Sequence, residues 1–182
     1  MNPLILVGGG GHCRFVINND YDQLTYRLAT LADFEDFYRI KCDKANIQWG
    51  GFNEAPNRMN FLEWYKSQLI SNKRSIYLVY EGNEICAFFY IDKIDDKTYE
   101  LSSSGVLTEF SGRGIGTYTV KTRIDIIHSL GGGTCITWIA EDNIGSYKRF
   151  EKNGFVRTDE YEVRNLPLLG GGHKFYKWVK KV

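Results

Sequence analysis

Two rhythms of apolar and polar positions run along this chain, and the switches between them mark its elements. From Tyr26 a strand leads into a helix whose apolar positions are Phe34, Phe37 and Tyr38, with Thr30 and Asp33 forming a capping-box pair ahead of it. Residues 46–59 carry no regular spacing and read as irregular. Asn60 and Glu63 then give a second capping box, for a helix bearing Phe61, Leu62, Tyr65 and Leu69. Ser75 to Tyr80 and Ile85 to Ile91 are β-rich runs, and Asp95-Asp96-Lys97 turns the chain into a third strand over 98–107. The three make an antiparallel meander.

After the meander the period changes. Glycines at 112, 114 and 116 lead into 118–130, where Val120, Ile124 and Ile127 recur at helical spacing. Gly131 to Gly133 end that helix, and Cys135 to Ala140 reads as a buried strand. Asn143 caps a short helix that Gly154 closes, and strands over 155–163 and 174–180 flank a loop from Leu166 to Gly172. The expected class is α/β in the α+β sense: a mixed, mostly antiparallel central sheet with helices on both faces. Ahead of it, Leu4 to Val7 reads as a short strand entering Gly8 to Gly11, and His12 to Asn18 as one or two helical turns. Residues 1–20 thus stand apart from a single domain over 24–182.

Composition narrows the function classes. With 182 residues there is room for one domain with its own core. The 23 basic and 22 acidic residues nearly cancel, so there is no broad positive field for nucleic acid. The cysteines at 13, 42, 86 and 135 have no paired metal-ligand spacing, and neither His128 nor His173 has such a partner; no metal is expected. No apolar run approaches membrane-spanning length and the first residues lack signal-peptide character. The expectation is a soluble cytoplasmic protein, monomer or homodimer, that does not bind membrane.

Ser111-Gly112-Arg113-Gly114-Ile115-Gly116 sits between a strand and a helix, where backbone N–H groups converge and the helix dipole favours negative charge. That is a phosphate cradle. A dinucleotide fold is disfavoured by the glycine spacing and by the antiparallel meander before the loop, and a Walker loop by the absence of Gly-Lys-Ser/Thr. The loop, its place in the order of elements, and the later run from Asn143 through Gly154-Phe155 resemble the GNAT acetyltransferases over about residues 24–182.

The resemblance implies that the strand over 98–107 and the one over 135–140, joined by the helix between them, are parallel and splay apart to admit acetyl-CoA as co-substrate. It implies that the amides of Gly112 to Gly116 (Ile115 among them) and Arg113 take the pyrophosphate, and that Asn143, with Ser146 and Phe150 on its helix, contacts the pantetheine arm. The amide of Val106 or Leu107, at a bulge, would bind the thioester oxygen. Ser111 stands where the family has Arg or Gln, and Phe150 where many relatives carry a Tyr.

N-acetylation requires a neutral amine. A lysine-like ammonium costs roughly 4 to 5 kcal/mol to deprotonate at pH 7, an α-amino group only about 1. Glu100, on the strand before the loop, is the candidate base; Glu141, which also enters the acceptor set, is the second choice. Tyr147, one helical turn before Phe150, is the candidate acid for the leaving thiolate. Family members build the acceptor pocket where this chain has Trp49, Phe52, Asn53, Asn57 and Arg58. Aromatic faces beside amides suit an amino sugar or a nucleotide-linked amino sugar, and equally a peptide terminus. Residues 4–17 are similar to the opening strand and loop of nucleotide-sugar acyltransferases. The expected function is transfer of acetyl to a primary amine by direct attack. The alternatives are a protein or peptide N-acetyltransferase and a catalytically silent acyl-CoA-binding module.

Overall fold

Strand pairing joins the described strands into one sheet that organises the chain. The structure, a computed structural model, describes residues 23–182 and, before them, the backbone of two short strands, β1 (Leu6–Val7) and β2 (Arg14–Phe15), which pair antiparallel. Arg14–Phe15 is therefore strand, where helical turns are expected over His12 to Asn18. Gly8 to Gly11 and the remainder of that segment lie outside the described residues.

From β3 (Leu24–Leu28) the chain makes a 3-10 turn and α1 (Phe34–Lys41), then α2 (Lys44–Trp49) and α3 (Arg58–Leu69). The meander follows as β4 (Arg74–Glu81), β5 (Glu84–Lys93) and an interrupted third strand, β6 (Thr98–Glu100) and β7 (Ser104–Val106). Then come α4 (Ile115–Ser129), β8 (Thr134–Ala140), α5 (Ile144–Lys152), β9 (Val156–Leu166) and β10 (Gly171–Lys181). The sheet order is β1-β2-β3-β4-β5-β6-β8-β10-β9, with β7 also on β5. The pairing of β6 with β8 is parallel and the other pairings described are antiparallel. Among the described residues no helix is long and apolar enough to cross a membrane.

Strand β5 is apolar without alternation because both of its faces are covered. Phe88 meets Phe37 of α1 edge-on at 5.3 Å, while Phe89 on the opposite face stacks on Tyr77 at 5.0 Å and lies under Arg123 of α4. Phe34, Phe37, Phe61, Trp64 and Tyr65 fill the space between α1, α3 and the sheet. At the head of α1, the N–H and Oγ1 of Thr30 both donate to Asp33 Oδ2 (2.7 and 2.8 Å). Arg27 holds the same carboxylate bidentately.

Three local expectations are corrected. Residues 44–49, within and just before the stretch read as irregular, form α2, capped by Asp43, which accepts from the Ala45 N–H; its short segment has no apolar face to announce it. Helix α3 starts at Arg58, because Asn57 Oδ1 accepts from Met59 and Asn60 N–H, so the cap lies three residues before Asn60. The strand over 98–107 breaks at Leu101–Ser103.

That break is where the sheet opens. Parallel pairing between β6 and β8 ends at Glu100 opposite Ile136, and the last contacts across it are Leu101 N–H to Ile136 O (2.8 Å) and buried Thr137 Oγ1 to Leu101 O (3.0 Å). Beyond this point β7 stays on β5 while β8 leaves with β10. Removing the Thr137 hydroxyl strands a buried carbonyl, so Thr137→Val is expected to lower unfolding free energy in urea by about 1 to 2 kcal/mol, and Thr137→Ser by less.

Candidate active site

The opening between β7 and β8 exposes backbone donors. Leu107 N–H donates to Cys86 O (2.9 Å) and Ser103 O accepts from Tyr90 N–H (2.9 Å), so residues 103, 105 and 107 turn their amides to β5. Those of Ser104 and Val106 turn the other way, into the cleft. Of the two amides considered for a thioester oxygen, Leu107 is thus occupied within the sheet, and Val106 faces the open side.

At one end of the cleft the glycine loop encloses a cavity of about 180 Å³ lined by Val106, Phe110, Ser111, Gly112, Gly114, Ile115, Gly116, Thr117 and Arg149. Gly112 and Gly114 take φ of 79° and 80°, and Gly114 caps α4 in the left-handed conformation that keeps Cβ out of the loop. Arg113 turns away: it donates to Glu81 Oε2 (2.8 Å) and lies over the Phe110 ring. The cation at this cavity is Arg149 of α5. Its guanidinium rests on Gly116, where an added Cβ would stand 2.5 Å from Cζ. No acid pairs with it among the described residues, and burial pulls its pKa below the usual arginine range. Sequence reading missed Arg149, although a basic residue one turn after Ser146 on the capped helix was a usable signal.

Midway along the cleft, a cavity of about 130 Å³ is walled by Ser102, Ser103, Ser104, Thr137, Asn143, Ser146, Phe150 and Arg123, among others. Asn143 Oδ1 accepts from Ser146 N–H (3.1 Å), capping α5. Arg123 is 1% exposed and, among the described residues, donates to uncharged oxygens, Thr119 O (3.1 Å) and Ser104 Oγ (3.2 Å). Its Cζ lies 5.8 Å from the Phe89 ring centroid and 5.5 Å from that of Phe150. Burial first, then the charge of Arg149, draws its pKa down to about 9, which leaves it protonated at neutral pH.

On the opposite face, α1, α2 and α3 enclose a cavity of about 530 Å³ that shares Trp49, Ser102, Ser103 and Arg164 with the previous one. Its other walls include Lys41, Phe52, Asn57, Trp64, Arg74 and Tyr90. Lys41 is 8% exposed, its ammonium sits over Phe88 (4.9 Å) and Phe52 (5.9 Å), and no carboxylate bonds it among the described residues. Burial, then nearby Arg74, lowers its pKa from 10.5 to about 8.

The remaining expected residues divide. Trp49, Phe52 and Asn57 line the large cavity, although Asn57 Oδ1 is engaged as the α3 cap. Arg58 does not line it; it pairs with Glu35 and covers the Phe34 ring. Glu100, half-buried, pairs across the strands with Asp92, and burial followed by Asp92 raises its carboxyl pKa, with Arg164 and Arg74 opposing. Tyr147 stacks on Trp178 at 6.0 Å and lines, with Glu141, a separate and larger cavity of about 650 Å³ between α5 and the β9–β10 pair. Neither is among the residues that line the cleft. His173 pairs with Asp142 (2.7 Å), and no metal-binding cluster occurs among the described residues.

Comparison with known proteins agrees with this layout. The profile of the "Acetyltransferase (GNAT) family" matches residues 33–155. Mycothiol acetyltransferase of Corynebacterium efficiens is 26% identical over 131 residues, 68% of this chain and 42% of that protein. Its counterpart in Corynebacterium glutamicum is 23% identical over 101 residues, 56% of this chain and 32% of its own length. The chain therefore spans less than half the length of these curated relatives. Spermidine N-acetyltransferase from Vibrio cholerae, solved with CoA and spermine, superposes with a TM-score of 0.77 at 15% identity over 87% of this chain and 95% of that one. The ribosomal-protein-S18-alanine N-acetyltransferase from Escherichia coli gives 0.67 at 15% over 87% and 94%. At these identities the likeness is one of fold.

Lys41 carries a measurable cost. Because the fold holds its pKa at about 8 against an ordinary 10.5, the unfolded chain binds more protons between those values and stability rises with pH across that window. Below pH 8 the whole penalty stands. Lys41→Met is expected to stabilise the protein at pH 7 by about 1 to 3 kcal/mol, allowing for the lost ring contacts, with the gain shrinking toward pH 10 in urea titrations.

Proposed function

We propose, from the premise that this chain belongs to the GNAT acetyltransferase family, that it transfers acetyl from acetyl-CoA to a primary amine of a small molecule by direct attack. One observation carries the reading: the large cavity shares Ser102 and Ser103 with the middle cavity at the interruption in the sheet, and the glycine-loop cavity begins at Val106, two residues beyond Ser104 on the same strand. A donor and an acceptor entering from opposite sides would meet there.

The residues fit the donor. Backbone N–H groups of Gly112 to Gly116 and the unpaired guanidinium of Arg149 suit the pyrophosphate, so Arg149 supplies the cation that Ser111 lacks. The amides of Ser104 and Val106, with Asn143 and Ser146, suit the pantetheine arm and the thioester oxygen. The amine nitrogen bonds to the acyl carbon, the C–S bond breaks, and its electron pair goes to sulfur as thiolate. Phe150 has no proton to give and Tyr147 packs elsewhere, so we assign stabilisation of that thiolate to the buried charge of Arg123, with solvent protonating it afterwards. Glu100 lines neither the acceptor cavity nor the cleft, so we assign it the amine proton through intervening water, a task its raised pKa suits.

For the acceptor, the faces of Trp49 and Phe52 support an amino sugar or a nucleotide-linked amino sugar. A second reading, a silent acyl-CoA-binding module, is favoured by Phe150. Release of free thiol from acetyl-CoA in the presence of a panel of amines tests the first against the second; tight CoA binding with no thiol release for any amine would leave only the module.

Arg149→Ala is expected to raise the CoA dissociation constant about 10- to 100-fold in calorimetry, on the order of 1.5 to 3 kcal/mol for a charged hydrogen bond. Tyr147→Phe should leave kcat within twofold. In Glu100→Gln the acidic limb of the kcat/KM profile, which in the parent lies above the ordinary carboxylate range, should disappear.

A further inference from the structure

The walls of the large cavity carry a charge that no acid among the described residues answers. Among those residues they include Lys41, Arg74 and Arg164 and no Asp or Glu. Two of these cations are answered outside the cavity wall: Arg74 donates to both oxygens of Asp92 (2.7 and 2.6 Å), and Arg164 pairs with Glu162. Lys41 is not. It is 8% exposed and, among the described residues, rests on the faces of Phe88 and Phe52, a position that disfavours its charge by burial.

Two further groups in the same walls lack a partner. The buried hydroxyls of Tyr90 and Ser102 make no hydrogen bond, although each could donate one. Tyr90 is only 4% exposed. An ammonium and two hydroxyl donors around one cavity are the complement of an oxyanion. They are a poor match for a polycation, which would confront Lys41 without a counter-charge.

We propose that the acceptor is a primary amine that also bears an anionic group, carboxylate or phosphate, seated against Lys41 with Tyr90 and Ser102. This deepens the acetyl-transfer reading and rests on it. The anion anchors the molecule at the Lys41 end, and its amine reaches toward Ser102–Ser104, where the cavity joins the cleft. Binding energy from a remote group would in this way orient the reacting nitrogen.

The test uses the full chain with acetyl-CoA and matched amines. Glucosamine 6-phosphate is compared with glucosamine, an L-amino acid with its amide, and spermidine serves as the polycation. Thiol release should favour at least one anionic member over its neutral partner by tenfold or more in kcat/KM, and the pair that shows it tells phosphate from carboxylate. Lys41→Met should shrink that ratio by 10- to 100-fold, mainly through KM, while CoA affinity in calorimetry shows the fold intact. Tyr90→Phe should shrink it several-fold. Equal turnover of anionic, neutral and cationic amines overturns the proposal, as does a Lys41→Met variant that loses kcat alike for all of them. If no amine is acetylated, the acetyl-transfer reading fails by itself. Calorimetry with the same anionic amines then decides this one: binding that weakens tenfold in Lys41→Met upholds it, and no binding overturns it.

Discussion

Parallel pairing between β6 and β8 covers three residue pairs and then stops, and the site depends on where it stops. Had the ladder continued past Glu100, the amides of Ser104 and Val106 would have been consumed by β8 and the sheet would be closed. Thr137 fixes the end point by giving Leu101 O a side-chain donor where the next backbone donor has moved away. Both exits of the cleft are then shaped by ordinary packing: α4 and α5 below, α1 to α3 above. The sheet is the scaffold, and the interruption after Glu100 is where the candidate site lies.

Charge is distributed in two populations. Arg27, Arg74 and Arg113 each face a carboxylate and contribute to holding elements together. Among the described residues Arg149, Arg123 and Lys41 face none, and each lines a different one of the three cavities along the interruption. A buried cation without a partner is destabilising by itself. Arg123 and Lys41 are buried and Arg149 is half-buried, so folding stability is lower for them, and under the proposed function they would face the sulfur, acceptor and phosphate ends of the reactants.

Much of the fold was legible because amphipathic periods and glycines mark it: the meander, α4, and the Asn143 to Gly154 helix stand where the sequence puts them. What escaped were features whose cause lies outside their own segment. Helix α2 has too short a pattern to register, and the start of α3 depends on which of two nearby asparagines caps it. The site was legible in its backbone and not in its side chains. The glycine loop was plain, whereas which arginine serves it was not, since Arg113 has Glu81 within reach across the sheet and Arg149 is brought in by the packing of α5 on α4. Tyr147 and Phe150 share a helix only one turn apart, yet they point into different cavities, a distinction that helical spacing could not supply.

The contact of Arg149 with Gly116 links two helices, because the guanidinium lies where a Cβ at 116 would stand. Any side chain at 116 evicts the guanidinium from the loop, and any shorter residue at 149 leaves a helix glycine with its conformational cost and nothing lying on it. A side chain added at 116 would therefore be met by the flexible end of Arg149 swinging off the loop, so the cavity would lose its cation without either helix having to move.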